Sequence, residues 1–507
     1  MTNRKIFSSG AICLALLASC GEKSAPTLKP TLPLKPCRIA FVENEVKCGI
    51  LDVIENRETR EGRKVALNIV VLPAIARNKE PDPIFVFAGG PGQAAGELAR
   101  EALMILGGLN NRRDIVLVDQ RGTGKSNGLM CTFPDANSVA MNDPARRDQL
   151  TKKTLLACRD KLLLKADLTQ YTTTIAMADI DEVREALGYV RINLWGASYG
   201  TRAAMEYLRR YESRVRSVVL DGVAPPSLML PESFARDAAT TLEKMVLSCE
   251  KDVGCSKQYA RLNLSLDELG ASLAAKPLHI SINDPVTGIA RDLSVTKEML
   301  LRVVFTTLYV PEMAALLPAS LAKAGQGDYA PLMALGGVFG DMAEEKLAMG
   351  MQLSVVCAED VPRIKQDSVA AQPLPFGRMF VSEFTKSCEH WPRGKMAHDF
   401  GQPVKSAKPV LILSGALDPV TPPQYGEEVA KSFSNVIHAV APNVGHGVSI
   451  RGCGPKLIKK FIETAVTTGL DEKCLERMPR PLFYVPLREK VKPEIAEKSP
   501  QKKQGQK

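Results

Sequence analysis

The sequence lacks several features that would point to other classes of protein. Its 507 residues contain no C-x-x-C pair and no Cys/His cluster, so a metal site is not expected. Beyond a short segment near the N-terminus, no apolar run is long enough to cross a bilayer. The segment Gly122-Thr-Gly-Lys-Ser126 resembles part of a phosphate-binding loop, but Asp119 replaces its first glycine, so nucleotide binding is not expected. What remains is a large globular protein, best divided into one large domain with an insertion.

A strong excess of positive charge is also absent from most of the chain. The formal net charge of +10 falls to +4 for residues 6–480 when the basic N-terminus and the segment 481–507 are set aside. This balance gives no reason to expect a nucleic-acid partner. Residues 481–507 form a basic tail without apolar periodicity after Val485, and we expect it to be disordered and solvated. Contact of the tail with anionic envelope surfaces is the less favoured alternative.

The N-terminus is typical of a targeting segment. A basic start precedes the apolar stretch Ile6–Ala18, which is too short for a permanent membrane span. The stretch ends in Leu-Ala-Ser-Cys20-Gly, the form of a bacterial lipoprotein cleavage site. We therefore expect residues 1–20 to be a lipoprotein-type signal and Cys20 to carry the lipid that anchors an exported protein in the cell envelope. The alternative is an ordinary secretory signal with Cys20 nearby by accident. A Pro-rich linker, 21–36, follows.

Ten cysteines remain once Cys13 and Cys20 are assigned to the signal and its end. An even number in a chain expected to be exported indicates a disulfide framework. The connectivity does not follow from the sequence, and pairing of nearest neighbours is our hypothesis. It joins Cys37 to Cys48, Cys131 to Cys158, Cys249 to Cys255, Cys357 to Cys388 and Cys453 to Cys474.

The most informative segment, Arg191–Arg202, contains Ser198. It predicts a short apolar strand, the turn Gly196-Ala-Ser-Tyr-Gly200 and a helix over Thr201–Tyr211. A serine hydroxyl attacks a carbonyl only if it is exposed, positioned and served by a base. A sharp strand-to-helix turn exposes the serine, and it needs glycine two residues to either side because Cβ atoms there would collide with neighbouring elements. Ser198 is therefore the candidate nucleophile.

A base and an acid for Ser198 should follow it along the chain, since an open α/β sheet carries them in the order serine, acid, histidine. Asp418 follows the predicted buried strand Val410–Leu413, and His446 lies in a glycine-flanked loop after another strand candidate. Both fall at the edge of the sheet where ligands collect. We expect His446 to take the proton of Ser198, and Asp418 to fix the tautomer of the ring.

Two further interpretations complete the predicted site. Of the five histidines, His438 is the rival base, but it lies inside an alternating pattern and is interpreted as a strand residue. The developing oxyanion needs two positioned donors. We expect the backbone N–H of Tyr199 and, from the loop Gly89-Gly-Pro-Gly92, the N–H of Gly90.

Strand and helix patterns alternate from Ile84 to Asp221, which predicts a mostly parallel sheet with helices on both faces. Amphipathic helical segments then dominate until the strand pattern resumes at Val410. We expect a core in two parts, 37–224 and 401–480. A helical cap inserted between them, 225–400, would cover the site.

With these residues in place, the sequence resembles the α/β-hydrolase peptidases of the proline iminopeptidase and tripeptidyl aminopeptidase type. The exported, disulfide-bearing tripeptidyl aminopeptidase branch is the most similar. The resemblance spans about residues 37–480. The motifs that carry it are Gly89-Gly-Pro-Gly92, Asp119-Gln-Arg-Gly-Thr-Gly124, Tyr171-Thr-Thr-Thr, Ala178-Asp-Ile-Asp-Glu-Val-Arg184, Gly196-Ala-Ser-Tyr-Gly-Thr-Arg202, Cys357-Ala-Glu-Asp360, Cys388-Glu-His-Trp-Pro392, Ser414-Gly-Ala-Leu-Asp418 and Gly445-His-Gly447.

The resemblance implies an α/β-hydrolase fold with a mainly helical cap and no cofactor. It also implies release of residues from peptides with a free N-terminus through an acyl-Ser198 intermediate. Ala88 stands where cytosolic iminopeptidases usually carry a histidine, which argues against strict proline specificity. An aminopeptidase must hold the substrate ammonium, and Glu359 and Asp360 are our candidate ligands.

Two other functions stay open at this point. One is a carboxylesterase or lactone-type hydrolase that uses the same three catalytic residues. The other is a non-catalytic envelope binding protein on a hydrolase scaffold. The intact set of Ser198, Asp418 and His446 argues against the second.

Overall fold

The computed structural model describes residues 28–133, 144–283, 287–336, 347–365, 367 and 375–486. The predicted signal with Cys20 and most of the predicted tail lie outside the described residues. The described strands form one nine-stranded sheet and one separate two-stranded sheet. Within the described ranges, no helix combines the length and the apolar character needed to cross a bilayer.

The large sheet is mostly parallel, as predicted. Its strands, with those of the small sheet, are β1 (Lys35–Cys37), β2 (Val46–Ile54), β3 (Lys64–Leu72), β4 (Ile84–Phe87), β5 (Ile115–Val118), β6 (Ile192–Ala197), β7 (Val215–Asp221), β8 (Leu278–Asn283), β9 (Ala290–Val295), β10 (Val410–Gly415) and β11 (Val436–Ala441). Their order across the sheet is β1-β2-β3-β5-β4-β6-β7-β10-β11. Pairings up to β3–β5 are antiparallel, and those from β5 to β11 are parallel. The central strands β4 and β5 are buried along their whole length, as parallel strands covered on both faces must be.

Helices cover both faces of this sheet. The helices of the described residues include α1 (Ala99–Asn110), α2 (Pro144–Leu163), α3 (Thr173–Ala186), α4 (Tyr199–Tyr211), α5 (Phe234–Lys251), α6 (Val253–Gln258), α7 (Leu262–Ala275), α8 (Lys297–Leu308), α9 (Pro311–Ala314), α10 (Leu317–Gly325), α11 (Met349–Glu359), α12 (Met379–Cys388), α13 (Pro423–Ala430) and α14 (Gly454–Thr464). Apolar residues of α2, α3 and α4 pack on one face, and those of α1 and α14 on the other. The layers therefore bring the carboxyl ends of the parallel strands to one edge.

The segment between β7 and β10 builds a second apolar core of its own, largely from α5, α7, α8 and α10. Phe305 and Phe380 belong to this core, with ring centroids 4.4 Å apart. The hairpin β8–β9 belongs to this segment and was not expected from the sequence. By contrast, Met351 of α11 and Trp391 pack into the core of the main sheet. The inserted segment is thus fastened to the sheet at its C-terminal end.

The hypothesis of nearest-neighbour disulfides is confirmed for all ten cysteines. The bonds are Cys37–Cys48, Cys131–Cys158, Cys249–Cys255, Cys357–Cys388 and Cys453–Cys474. The Cα–Cα distances lie between 5.1 Å and 6.3 Å, within the usual range for a disulfide.

Candidate active site

Ser198 occupies the sharp turn predicted for it, between the end of β6 and the start of α4. Its φ of 56° and ψ of −127° are values that side chains with a Cβ rarely adopt. The flanking glycines make the turn possible. A Cβ on Gly196 would lie 2.3 Å from the carbonyl oxygen of Gly200, and one on Gly200 would lie 2.1 Å from that of Phe87. The backbone N–H of Ser198 donates to the carbonyl of Asp221 at 2.9 Å, which ties the turn to the neighbouring strand.

Asp418 and His446 are in direct contact. His446 Nδ1 and Asp418 Oδ2 lie 2.7 Å apart. The carboxylate is fully buried, and its other oxygen accepts the backbone N–H groups of Val420 and Thr421, both at 2.9 Å. The Thr421 hydroxyl donates to Oδ2 at 2.7 Å. Every oxygen of Asp418 therefore has a donor, and the geometry holds Nδ1 of the ring toward the acid.

The electrostatics of this pair favour an ionised Asp418 and a more basic His446. Burial disfavours the charged imidazolium, but the charge of Asp418, its hydrogen bond and the charge of Asp221 together leave the pKa of His446 above its ordinary value. Burial likewise opposes ionisation of Asp418, yet the charge and hydrogen bond of His446 and the two backbone donors hold the pKa of Asp418 below its usual range. An ionised acid beside a ring of raised basicity is the arrangement that general-base catalysis requires.

Ser198 and His446 face one cavity of about 200 Å³. Its lining is predominantly apolar and comprises Val86, Gly89, Gln93, Leu98, Glu101, Ala102, Ile105, Trp195, Ala197, Ser198 and His446. These two described side chains share the cavity without a direct hydrogen bond between them, and contacts of this kind often tighten only when substrate is bound. The structure thus places serine, histidine and acid along one edge of the sheet.

The two backbone donors predicted for an oxyanion are both available. Tyr199 is the first residue of α4, where a backbone N–H has no partner within the helix. In the loop after β4, the N–H of Gly89 is taken by Gln93 Oε1 at 3.2 Å. The N–H of Gly90 makes no hydrogen bond within the described residues. Gly90 has a φ of 108°, in the region that favours glycine, so the loop conformation depends on this residue type.

The interpretation of Glu359 and Asp360 as ligands of a substrate ammonium is corrected by their surroundings. Glu359 is 1% exposed, and both its oxygens accept hydrogen bonds from Thr173, one from the backbone N–H at 2.6 Å and one from the hydroxyl at 2.8 Å. Burial raises the pKa of Glu359 to about 8, and the charge of Asp360 adds to the effect. Asp360 is fully buried and pairs with Arg202 at 2.9 Å and with Arg363 at 3.3 Å. These acids join parts of the chain, and neither is among the described residues that line the cavity shared by Ser198 and His446.

The segment that resembles a phosphate-binding loop is a structural turn. Asp119 accepts hydrogen bonds from the backbone N–H of Gly96 at 2.7 Å, from Asn68 at 2.9 Å and from the backbone N–H of Lys125 at 3.0 Å. Arg121 is completely buried and forms two hydrogen bonds with Asp179, at 2.6 Å and 2.7 Å. The motif therefore fixes the loops that surround the site.

His438 lies in β11, as predicted, with Nε2 2.9 Å from the hydroxyl oxygen of Ser414. Burial lowers the pKa of His438. Its ring is thus neutral and engaged within the sheet. Among the described residues, no group of three or more His, Cys, Asp or Glu side chains is arranged to hold a metal ion.

Two residues that support His446 were not found from the sequence. Asp221 at the end of β7 accepts the backbone N–H groups of Val448 and Ser449, at 2.9 Å and 2.7 Å, and so fixes the chain just after the histidine. Tyr309 of the inserted segment accepts the backbone N–H of His446 at 3.0 Å, and its ring lies edge-on to the imidazole with centroids 5.3 Å apart. The position of Asp221 after a buried strand was a usable signal, whereas nothing in the pattern marked Tyr309.

Comparison with known proteins agrees with this site. Two family profiles match, described as alpha/beta hydrolase fold over residues 82–294 and as TAP-like protein over residues 372–474. Serine protease Hip1 of Mycobacterium tuberculosis is 24% identical over 514 residues, covering 91% of this chain and 94% of that protein. Carboxylesterase B of the same organism is 24% identical and covers 81% and 83%. Tripeptidyl aminopeptidase of Streptomyces lividans is 24% identical over 196 residues, 36% of each chain.

The sheet, the strained serine turn and the acid–histidine pair define an enzyme of the serine hydrolase class on an α/β-hydrolase fold. Within that class, the chain is a tripeptidyl-aminopeptidase-like α/β hydrolase, as the sequence motifs had indicated.

Proposed function

We propose that this enzyme is an exported serine aminopeptidase that releases single residues or short peptides from free peptide N-termini. Ser198 attacks the scissile carbonyl, and His446 accepts its proton and returns it to the leaving amine. Asp418 keeps Nδ1 of the ring protonated, and the N–H groups of Tyr199 and Gly90 stabilise the oxyanion. Water then attacks the acyl-Ser198 intermediate. His446 takes a proton from the water and gives a proton back to the oxygen of Ser198, which releases the acid product.

The observation that carries the proposal is the 2.7 Å contact between His446 Nδ1 and the buried Asp418, at the wall of the cavity that Ser198 also lines. The TAP-like match over residues 372–474 includes both the acid and the histidine. The relatives named as a serine protease and as a tripeptidyl aminopeptidase support a peptide substrate.

The test compares wild type with Ser198→Ala on three matched substrates. These are a peptide p-nitroanilide with a free N-terminus, its N-acetylated form and a p-nitrophenyl ester of the same residue. Wild type should hydrolyse the free-amine peptide with the highest kcat/KM, and a fluorophosphonate probe should label wild type but not the variant. Turnover of the ester alone would favour a carboxylesterase, a reaction that the name of one relative also suggests. Failure of probe labelling would refute catalysis by Ser198.

Export and anchoring form a separate part of the proposal, supported by the lipoprotein-type motif at Cys20. The enzyme should partition into the detergent phase when it is expressed with its signal in a bacterium. Cys20→Ser should move it to the aqueous phase. Aqueous wild-type protein without an acyl group would refute the anchor but leave the peptidase proposal untouched.

A further inference from the structure

The cavity beside Ser198 contains one carboxylate that the mechanism does not use. Helix α1 turns Glu101 and Ala102 toward the cavity, with Ile105 one turn further along. Most of the remaining wall is apolar, including Val86 and Trp195. Among the residues that the structure describes, Glu101 is therefore the only acidic side chain in the lining of the cavity that Ser198 and His446 share.

Glu101 differs from the other acids near the site because one of its oxygens has no hydrogen-bond partner among the described residues. Its Oε2 is buried and makes no hydrogen bond within the described residues. The neighbouring cation, Arg100, lies over the ring of Phe41, with its guanidinium carbon 6.0 Å from the ring centroid. Asp418, by contrast, has donors on both of its oxygens. A buried carboxylate oxygen without a donor is unfavourable and needs an explanation.

We propose that Glu101 is the cation-binding residue of the substrate pocket, its carboxylate accepting hydrogen bonds from an ammonium or guanidinium group of the bound peptide. This inference rests on the proposed function, because it takes the peptide to be the molecule held beside Ser198. A cation that reaches Glu101 supplies the missing donor. The apolar walls around it suit the aliphatic part of the same residue.

The cation has two possible sources within a peptide. One is the α-ammonium of the N-terminal residue, and the other is the side chain of a lysine or arginine. Both offer the same chemistry to the carboxylate, namely a positively charged nitrogen with several N–H donors. Glu101 takes the role that the sequence suggested for Glu359 and Asp360, whose oxygens are already occupied inside the protein.

Glu101→Gln tests the inference because it removes the charge and keeps the shape. Wild type and variant are assayed on p-nitroanilides in matched pairs: free or N-acetylated, and with lysine or norleucine at the residue being released. Loss of a charge-assisted hydrogen bond should reduce kcat/KM by about 10- to 100-fold for the substrate that supplies the cation, and by less than about twofold for its neutral counterpart. A loss that follows the free N-terminus identifies the α-ammonium, and one that follows lysine identifies the side chain. Equal effects on all four substrates would overturn the inference.

Glu476→Gln is the matched control, since Glu476 is an exposed acid outside the cavity lining. It should leave all four kcat/KM values unchanged. Both variants are checked by thermal unfolding, and Glu101→Asp gives a second test, because it retains the charge and should keep the preference for the cationic substrate.

A measurement that needs no peptide turnover separates this inference from the proposed function. n-Butylammonium should slow fluorophosphonate labelling of wild-type Ser198, whereas n-butanol at the same concentration should not. The protection should disappear in Glu101→Gln. If it does so in an enzyme that hydrolyses no free-amine peptide, the aminopeptidase proposal fails and the cation site stands. If the variant is protected as well as wild type, the cation site is refuted, whatever the enzyme hydrolyses.

Discussion

Replacing Asp418 by asparagine separates the charge of the buried acid from its shape. The oxygen that accepts the N–H groups of Val420 and Thr421, both at 2.9 Å, should stay an oxygen in the amide, because an NH₂ there would face two donors. The NH₂ group must then take the position of Oδ2, which lies 2.7 Å from His446 Nδ1. It donates to Nδ1, so the ring proton moves to Nε2, and the ring no longer accepts a proton from Ser198.

The expected loss is large. The corresponding change in a serine protease lowers kcat by about 10⁴, or roughly 5 kcal/mol of transition-state stabilisation. The pH profile should change as well. Wild type needs neutral His446, whose pKa is raised above its ordinary value, so activity should fall as the pH drops through that raised pKa. In the variant, burial still lowers the pKa of His446, but the charge of Asp418 no longer raises it. The acidic limb of the residual activity should therefore move to lower pH.

The assay is kcat/KM against pH for a free-amine p-nitroanilide, with unfolding curves to show that the variant is folded. Asp221→Asn is the comparison, because it removes a second charge that raises the pKa of His446 and leaves Nδ1 untouched. Its NH₂ group must face one of the two backbone N–H groups that the oxygens of Asp221 accept, so some of its loss of rate comes from displacement of the chain after His446. It should shift the acidic limb in the same direction with a smaller loss of rate than Asp418→Asn. If Asp418→Asn kept more than about a tenth of the activity, or left the limb unchanged, the tautomer argument would be wrong.

Two predictions concern the buried acids. The pKa of Glu359, about 8 in the folded protein against 4.5 ordinarily, means that the folded state holds its proton more strongly, so stability falls as the pH rises from about 4.5 to 8. In urea titrations, the free energy of unfolding of Glu359→Gln minus that of wild type should therefore increase as the pH rises across this range. If the free energies of the two proteins changed with pH in parallel, the prediction would be contradicted. Arg202→Met leaves Asp360 without its buried partner and should cost about 3–5 kcal/mol in the same titrations; a cost below about 1 kcal/mol would show that Arg363 suffices.

The parts of the site that the sequence predicted are those that depend on local chain geometry. The turn at Ser198 needs glycines at fixed positions, because a Cβ at 196 or 200 would meet backbone about 2 Å away. Asp418 and His446 follow buried parallel strands, whose carboxyl ends must meet at one edge. The positions of these three side chains thus depend on single turns and on neighbouring strands, which a sequence pattern of a few residues can predict.

The parts that could not be predicted depend on contacts between distant segments. Tyr309 reaches His446 only because the inserted segment folds back over the sheet. Thr173, which occupies both oxygens of Glu359, lies 186 residues away in the sequence. The hairpin β8–β9 was missed for another reason: Leu278-His-Ile-Ser-Ile-Asn283 alternates apolar and polar residues, so a strand signal was present in the sequence and was not used.

Three carboxylates near this site show that acidity alone does not assign a role. Asp418 is buried among donors and beside a base, so it stays ionised and orients a ring. Glu359 is also buried, but its hydrogen bonds with Thr173 do not offset the cost of burying a charge, so it holds its proton and connects two segments. Glu101 has a buried oxygen without a donor among the described residues, and it lines the cavity that Ser198 also lines. The number of hydrogen-bond donors that the folded chain supplies to each acid therefore decides which of them is left for a ligand, and that number depends on tertiary structure.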